Sequence, residues 1–428
     1  MYRPSNQEHN YLTIISFIVF FLLLGCSSSQ RVKLNSKLNQ EPLNHSFHGL
    51  VVVDAKTNKT RYAINGDRYF TPASNVKIFA LYTGIMLLPD SIPTLKYSIN
   101  KDTVHFEGTG DPSWLHPHFK DSTALNFLKK HTKVAWNPHN TTEDRYGPGW
   151  AWEDYDTYFS PEKNALPLYG NVLTVSNTNG LEVSPPLFRN KVEVSKKSVR
   201  RDEFTNRFYI SPTVRDTLQV PFITGDTLTK QLLEHELGME VLLTDQVPPK
   251  PKKVLYGIPA DSLYKQILHK SDNFLAEQLL MMASSTLSDT LSTQRAISHV
   301  LENYLNDLQH KPRWVDGSGL SRYNLFTPTS MVQVLQQLYA KIPEERLFHL
   351  FPMWDASGTL DIWHNPNSEP FIFAKSGSLG NNYNLSGYLK TKSGKLLIFS
   401  FMNNHFRVST SVIRMQIYET LKSIHQKY

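Results

Sequence analysis

The feature that most constrains this 428-residue chain is a break in its texture. Apolar residues recur at helical spacing towards both ends. From Ile92 to about Pro251 they come instead in short runs cut by Gly, Pro, Asn and Asp, as in FEGTGDPSW, YGPGWAWEDY and VSPPLF. The first part opens with FHGLVVVDAKTNKTRYAI, which reads as a hairpin: a strand through Val51 to Val53, a turn from Asp54 to Asn58 and a return strand to Ile64. Thr71 and Pro72 then start a helix whose apolar positions Val76, Ile78, Phe79, Leu81, Ile85 and Leu87 keep helical spacing until Pro89. VPPKPKK marks the end of the short-run region, and helices return from Ala260, followed by the apolar strands FIFAKSG and KLLIFSFMNN and a closing amphipathic helix. This order predicts an α+β fold: an antiparallel sheet flanked by helices, with a helical subdomain, interrupted by an inserted, mostly β module. The expected boundaries are 46–91 and 252–428 for the split unit and 92–251 for the insertion.

An apolar content of 40% is enough for a large core, so the chain is neither disordered nor fibrous. The formal charge of +7 is spread along the chain apart from a knot at Lys196, Lys197, Arg200 and Arg201, read as a solvated turn. No helix-turn-helix, zinc-finger or RNA-binding signature accompanies it, and no nucleic-acid partner is expected. Sixteen histidines include no H-E-x-x-H spacing, and His116-Pro117-His118 reads as a Pro-interrupted surface loop, so no metal is expected.

Tyr11 to Gly25 is an almost unbroken apolar run with Arg3 ahead of it. About fifteen residues is short for a membrane span and right for the apolar core of a signal peptide. Residues 1–25 are therefore expected to be a signal peptide, followed by a polar tether over 26–45. Leu23-Leu24-Gly25-Cys26 resembles the lipobox of bacterial lipoproteins, which implies lipidation of Cys26, export, and a membrane-held protein facing the periplasm. With one cysteine in the chain, no intramolecular disulfide can form.

The chemistry is carried by three short motifs. Ser74 and Lys77 lie three apart in the first turn of an apolar helix, where their side chains can meet. A lysine can act as a base only as the neutral amine, and a helix N-terminus plus a second cation would both lower its pKa. Ser271-Asp272-Asn273 opens the helix FLAEQLLMM, so a hydroxyl and an amide can project into a cleft while a neighbouring side chain caps the helix. Lys375-Ser376-Gly377-Ser378 ends the strand FIFA, and its glycine would let a substrate backbone approach as an added strand. Decoys exist at Ser98/Lys101, Ser160/Lys163, Ser262/Lys265 and Lys392-Ser393-Gly394, but none sits in a matching setting.

The order S-x-x-K, S-D-N, K-(T/S)-G is the one found in class A β-lactamases and penicillin-binding proteins. With PASNVK, EGTGDP, GWAWEDY, SDNFLAEQLL and DGSGLS (Asp316 to Ser321), the chain resembles the penicillin-binding protein 4 type D-alanyl-D-alanine carboxypeptidase/endopeptidase family from about Phe47 onward. The resemblance implies a β-lactamase/transpeptidase-like fold acting without cofactor on peptidoglycan stem peptides and blocked covalently by β-lactams. It further implies Ser74 as nucleophile, Lys77 as base, Ser271 as proton relay, Asn273 as a ligand for the substrate amide, and Lys375 with Ser376 as the carboxylate site. The N–H groups of Ser74 and Ser378 would form the oxyanion hole. DGSGLS is read as a turn shaping the cleft floor, with no chemistry assigned. Two other readings are a β-lactamase- or esterase-like relative, for which no water-activating group is apparent, and an inactive lipid-anchored peptidoglycan-binding protein.

Overall fold

Val51, Val52 and Val53 are β-branched and buried on both faces of their strand, as expected of a central strand. In the computed structural model, which describes residues 43–176, 180–214, 216–354, 357–360 and 369–428, that is where they lie. Cys26 and most of the tether fall outside the described residues. Strands β1 (Phe47–Asp54) and β2 (Thr60–Ile64) form the expected hairpin, and helix α1 (Lys77–Leu87) follows a 3-10 turn at Ala73–Val76. The chain then passes through β3 (Ser91–Asn100), β4 (Thr103–Gly108), β5 (Lys133–Asn137), β6 (Val241–Leu243) and β7 (Lys253–Pro259). Helices α2 (Ala260–Lys270), α3 (Asn273–Ser285) and α4 (Pro328–Lys341) follow, then strands β8 (Ile372–Leu379), β9 (Asn382–Lys390) and β10 (Leu396–Asn404) and helix α5 (Thr410–Lys427).

The first sheet has the order β8-β9-β10-β1-β2 and is antiparallel throughout. The hairpin at the start of the chain therefore completes a sheet whose other three strands lie more than 300 residues later. Alternate residues of β1 serve opposite faces. Leu50 and Val52 join Phe399 and Phe401 under Ile413, Ile417 and Leu421 of α5. Val51 and Val53 pack with Ile398 and Met402 against α1 to α4. Helix α1 lies deep in this second layer and is buried from Lys77 through Gly84, because its residues are apolar on nearly every face. Burying side chains such as Phe79 and Leu81 contributes about 1.5–3 kcal/mol each, and it carries Lys77 into the interior with them.

The insertion has its own core, built on Leu95, Phe106, Val134, Trp136, Leu232 and Leu233. Its sheet, β6-β5-β4-β3-β7, is mixed: β6, β5 and β4 run parallel, and β3 and β7 pair antiparallel. Parallel neighbours need crossover connections, and helices at Thr123–Leu128 and Asp226–Leu237, absent from the mostly β reading, lie in these connections. The expected boundary at 251 falls one strand early, because Lys253–Pro259 pairs with β3. Entry and exit of the insertion are adjacent, Ala260 N donating to Asp90 O at 2.8 Å.

Two surface readings are corrected. His116 is buried rather than part of a surface loop, and burial pulls its pKa down to about 4. Arg201, read as part of a solvated basic turn, is buried and donates to the carbonyls of Tyr155, Asp202 and Glu203.

Candidate active site

Ser74 sits in the tight turn that precedes α1. Ala73 takes a left-handed φ of 48°, a strained conformation for a residue with a Cβ, and Asn75 N closes the turn on Pro72 O at 3.2 Å. The Asn75 side chain fastens the turn to the sheet, its Nδ2 donating to Lys375 O at 3.0 Å and to Asn384 O at 3.3 Å. Two glycines let neighbouring backbones close on this turn. A Cβ on Gly377 would lie 2.5 Å from Pro72 O, and one on Gly319, where φ is +85°, would lie 2.0 Å from Ala73 O. Gly377 thus makes room for the Ser74 turn, a use the sequence reading did not give it.

Lys77 has no exposed surface, and its Nζ has three partners: Ser74 Oγ at 2.9 Å, Asn273 Oδ1 at 2.7 Å and Ser318 O at 2.6 Å. An amide oxygen and a main-chain carbonyl can only accept. A neutral amine would spend its two protons on them and turn its lone pair to the third partner, the hydroxyl of Ser74, which can donate. Burial pulls the Lys77 pKa down to about 8, while the carboxylates of Asp272, Asp316 and Glu277 oppose it. The sequence argument relied on a helix terminus and a second cation to lower this pKa; burial in the core is the leading cause instead.

The second lysine is nonetheless present. Lys375 is fully buried on β8, donating to Ser271 Oγ at 2.9 Å and to its neighbour's carbonyl, Ser376 O, at 2.6 Å. Its pKa lies well below the ordinary lysine value, through burial and then the like charge of Lys77. Ser271 ends α2 in a left-handed conformation with φ of 56°. Asp272 then caps α3 by accepting from Leu275 N at 2.9 Å. That reversal turns Ser271 towards Lys375 and leaves Asn273 beside Lys77, with Asn273 Nδ2 donating to Phe159 O of the insertion at 3.0 Å.

Ser74, Ser271, Asn273 and Ser378 line one cleft of about 580 Å³, together with Tyr158, Phe159, Lys270 and Thr359. Ser376 is buried behind them with its Oγ 3.0 Å from Thr359 Oγ1. The residues proposed from sequence for catalysis and substrate binding thus lie in or beside this cleft, while Cys26, proposed for lipidation, falls outside the described residues. Two of the decoys are engaged elsewhere: Lys163 is paired with Glu143 at 2.7 Å, and Gly394 closes a tight turn with its N donating to Thr391 O at 2.9 Å.

Four participants escaped the sequence reading. Besides Asn75, the DGSGLS turn reaches Lys77 through the Ser318 carbonyl, and Asp316 holds that turn by accepting from Gly319 N at 2.9 Å and Ser321 N at 2.7 Å. Glu277, one helical turn beyond Asn273, accepts from Ser318 N at 2.8 Å, and its Oε2 has no hydrogen-bond partner among the described residues. Burial, with the neighbouring Asp316, pushes the Glu277 pKa up to about 7. The acidic residues at fixed positions in SDNFLAE and DGSGLS were the available signal.

The model of the D-Ala-D-Ala carboxypeptidase 3 (S13) family matches residues 30–197 and 205–423. The D-alanyl-D-alanine carboxypeptidase DacB of Haemophilus influenzae is 29% identical over 462 residues, covering 92% of this chain and 94% of that protein. The crystal structure of penicillin binding protein 4 (dacB) from H. influenzae shares the fold, with a TM-score of 0.67 at 21% identity over 87% of this chain and 94% of the other. A structure of that protein complexed with a β-lactam matches with a TM-score of 0.63 at 19% identity, over 89% of this chain and 94% of the other. With both stretches of the family model spanning the split sheet, the Ser74 turn and the insertion, the chain belongs to the D-Ala-D-Ala carboxypeptidase 3 (S13) family.

Proposed function

We propose that this member of the family cuts peptidoglycan stem peptides at a D-Ala-D-Ala-type linkage through an acyl-enzyme on Ser74. The observation that carries the assignment is the buried Lys77 amine, whose two acceptor-only partners leave its lone pair for the Ser74 hydroxyl. Ser74 Oγ attacks the carbonyl carbon and its proton passes to Lys77. The C–N bond breaks, and Ser271, backed by Lys375, delivers a proton to the leaving amine. Water then cleaves the ester and regenerates Ser74. Asn273 holds the amide of the acylated residue, Lys375 and Ser376 hold the terminal carboxylate, and the N–H groups of Ser74 and Ser378 stabilise the oxyanion. A contact of that kind supplies about 10²- to 10³-fold in rate.

β-Lactams acylate the same serine. Incubated with benzylpenicillin, the protein is expected to gain the mass of one penicillin on the peptide carrying Ser74, and Ser74→Ala to gain none at an unchanged thermal midpoint. Labelling that survives in Ser74→Ala would overturn the nucleophile; no adduct on the wild type would favour an inactive binding protein, and rapid antibiotic hydrolysis without an adduct a β-lactamase-like relative.

The same reading places the enzyme in the bacterial envelope, exported and held to a membrane by lipid on Cys26, as the apolar run and the lipobox-like Leu23 to Cys26 suggest. Palmitate fed to cells should label the wild type and not Cys26→Ser; equal labelling of both removes the anchor.

A further inference from the structure

A second cavity, of about 430 Å³, lies in the insertion and takes no part in the chemistry above. Its lining includes Tyr146, Trp150, Trp152, Phe204, Arg145 and Glu162. Trp152 is 70% exposed and Phe204 82%, large apolar faces kept in water at the lip of a concave site. The Glu162 side chain is only 2% exposed, yet it is unevenly satisfied. Its Oε2 accepts from Thr224 N at 2.8 Å and Thr224 Oγ1 at 2.7 Å, whereas Oε1 has two long contacts of 3.4 Å, to Arg145 Nη1 and Tyr146 OH. Contacts of that length are weak, so Oε1 keeps capacity for a better donor. The Arg145 guanidinium, 59% exposed, still has N–H groups to give.

We propose that this cavity is a second substrate site, which takes an N-acetylhexosamine ring of the glycan strand that carries the stem peptides. A pyranose has an apolar face of C–H bonds, which suits the negative face of an indole or phenyl ring. Its rim of hydroxyl and acetamide groups both donates, as Glu162 Oε1 requires, and accepts, as Arg145 requires. The volume is in the range of small-ligand sites. The cavity also adjoins the catalytic machinery: Trp150 Nε1 donates at 3.0 Å to Asp316 Oδ2, and Asp316 holds the turn whose Ser318 carbonyl accepts from Lys77. A strand gripped here would keep its stem peptides close to Ser74. The inference rests on the reading of the main cleft as a stem-peptide site.

The probe is tetra-N-acetylchitotetraose, with binding followed by tryptophan fluorescence and calorimetry on the wild type, Trp152→Ala and Phe204→Ala. The wild type should bind it and both variants should bind at least about tenfold more weakly. On isolated sacculi the variants should release D-alanine severalfold more slowly, while turnover of a free D-Ala-D-Ala peptide and acylation by benzylpenicillin stay within twofold of wild type. No binding to the wild type, undiminished binding by both variants, or equal loss on sacculi and free peptide would overturn the sugar site. Acylation is read on the same samples, so failure of the cleft itself is seen separately: it appears as an unlabelled wild type.

Discussion

At the scale of single residues, the proposed reaction depends on the charge of Lys77. With its pKa at about 8 the amine is neutral in about one molecule in ten at pH 7, so acylation by benzylpenicillin should rise with pH through that value. Glu277 bears on this midpoint without touching Lys77. Its carboxylate, which faces Asp316 and Lys163 in a fully buried setting, ionises above about pH 7 and favours the Lys77 ammonium. Glu277→Gln keeps an oxygen for Ser318 N and removes the charge. The acid limb of the acylation profile should therefore move to lower pH, with acylation at pH 7.5 about threefold closer to its own plateau than in the wild type. Stopped-flow rates across pH 6–9.5 would check it. A lower plateau with an unmoved midpoint would reduce Glu277 to a structural prop.

At the scale of elements, the two helix ends that meet in the cleft are built differently. Helix α1 carries its lysine inward by apolarity and has no side-chain cap, whereas α3 is capped by the Asp272 carboxylate. Asp272→Ala should lose about 1 kcal/mol of stability and lower the thermal midpoint, while Asp272→Asn, which retains an oxygen for Leu275 N, should keep most of it. Calorimetric scans of both variants decide it, since equal losses would mean that the buried charge, not the cap, is what the site needs. Much at this scale was legible in the sequence. The β1–β2 hairpin and the capped opening of α3 follow from local patterns, whereas the helix expected to start at Thr71–Pro72 begins at Lys77 and leaves Ser74 in the 3-10 turn before it. The crossover helices of the insertion were not legible, because Asp226–Leu237 buries only four residues and looks polar until its sheet is in place.

At the scale of the whole molecule, the insertion leaves and re-enters beside a hydrogen bond between residues 90 and 260, yet it contributes to the candidate site. Phe159 O orients Asn273, Trp150 supports Asp316, and the Gly110 and Asn164 carbonyls both accept from Gln278 of α3. The local order of residues determined which groups are candidates for the chemistry: a serine in a tight turn, a lysine one turn on, and polar residues at the ends of a helix and a strand. It did so because turns, caps and helical spacing depend on neighbours a few positions away. The protonation of those groups was settled elsewhere, by burial, and their arrangement by contacts such as Lys77 with Asn273 and Asn75 with Lys375, made between residues 196 and 300 positions apart. So were the use of Gly377 and the recruitment of Ser318 and Glu277. Burial and close approach belong to the packed molecule, and no local pattern encodes how deep a lysine will lie.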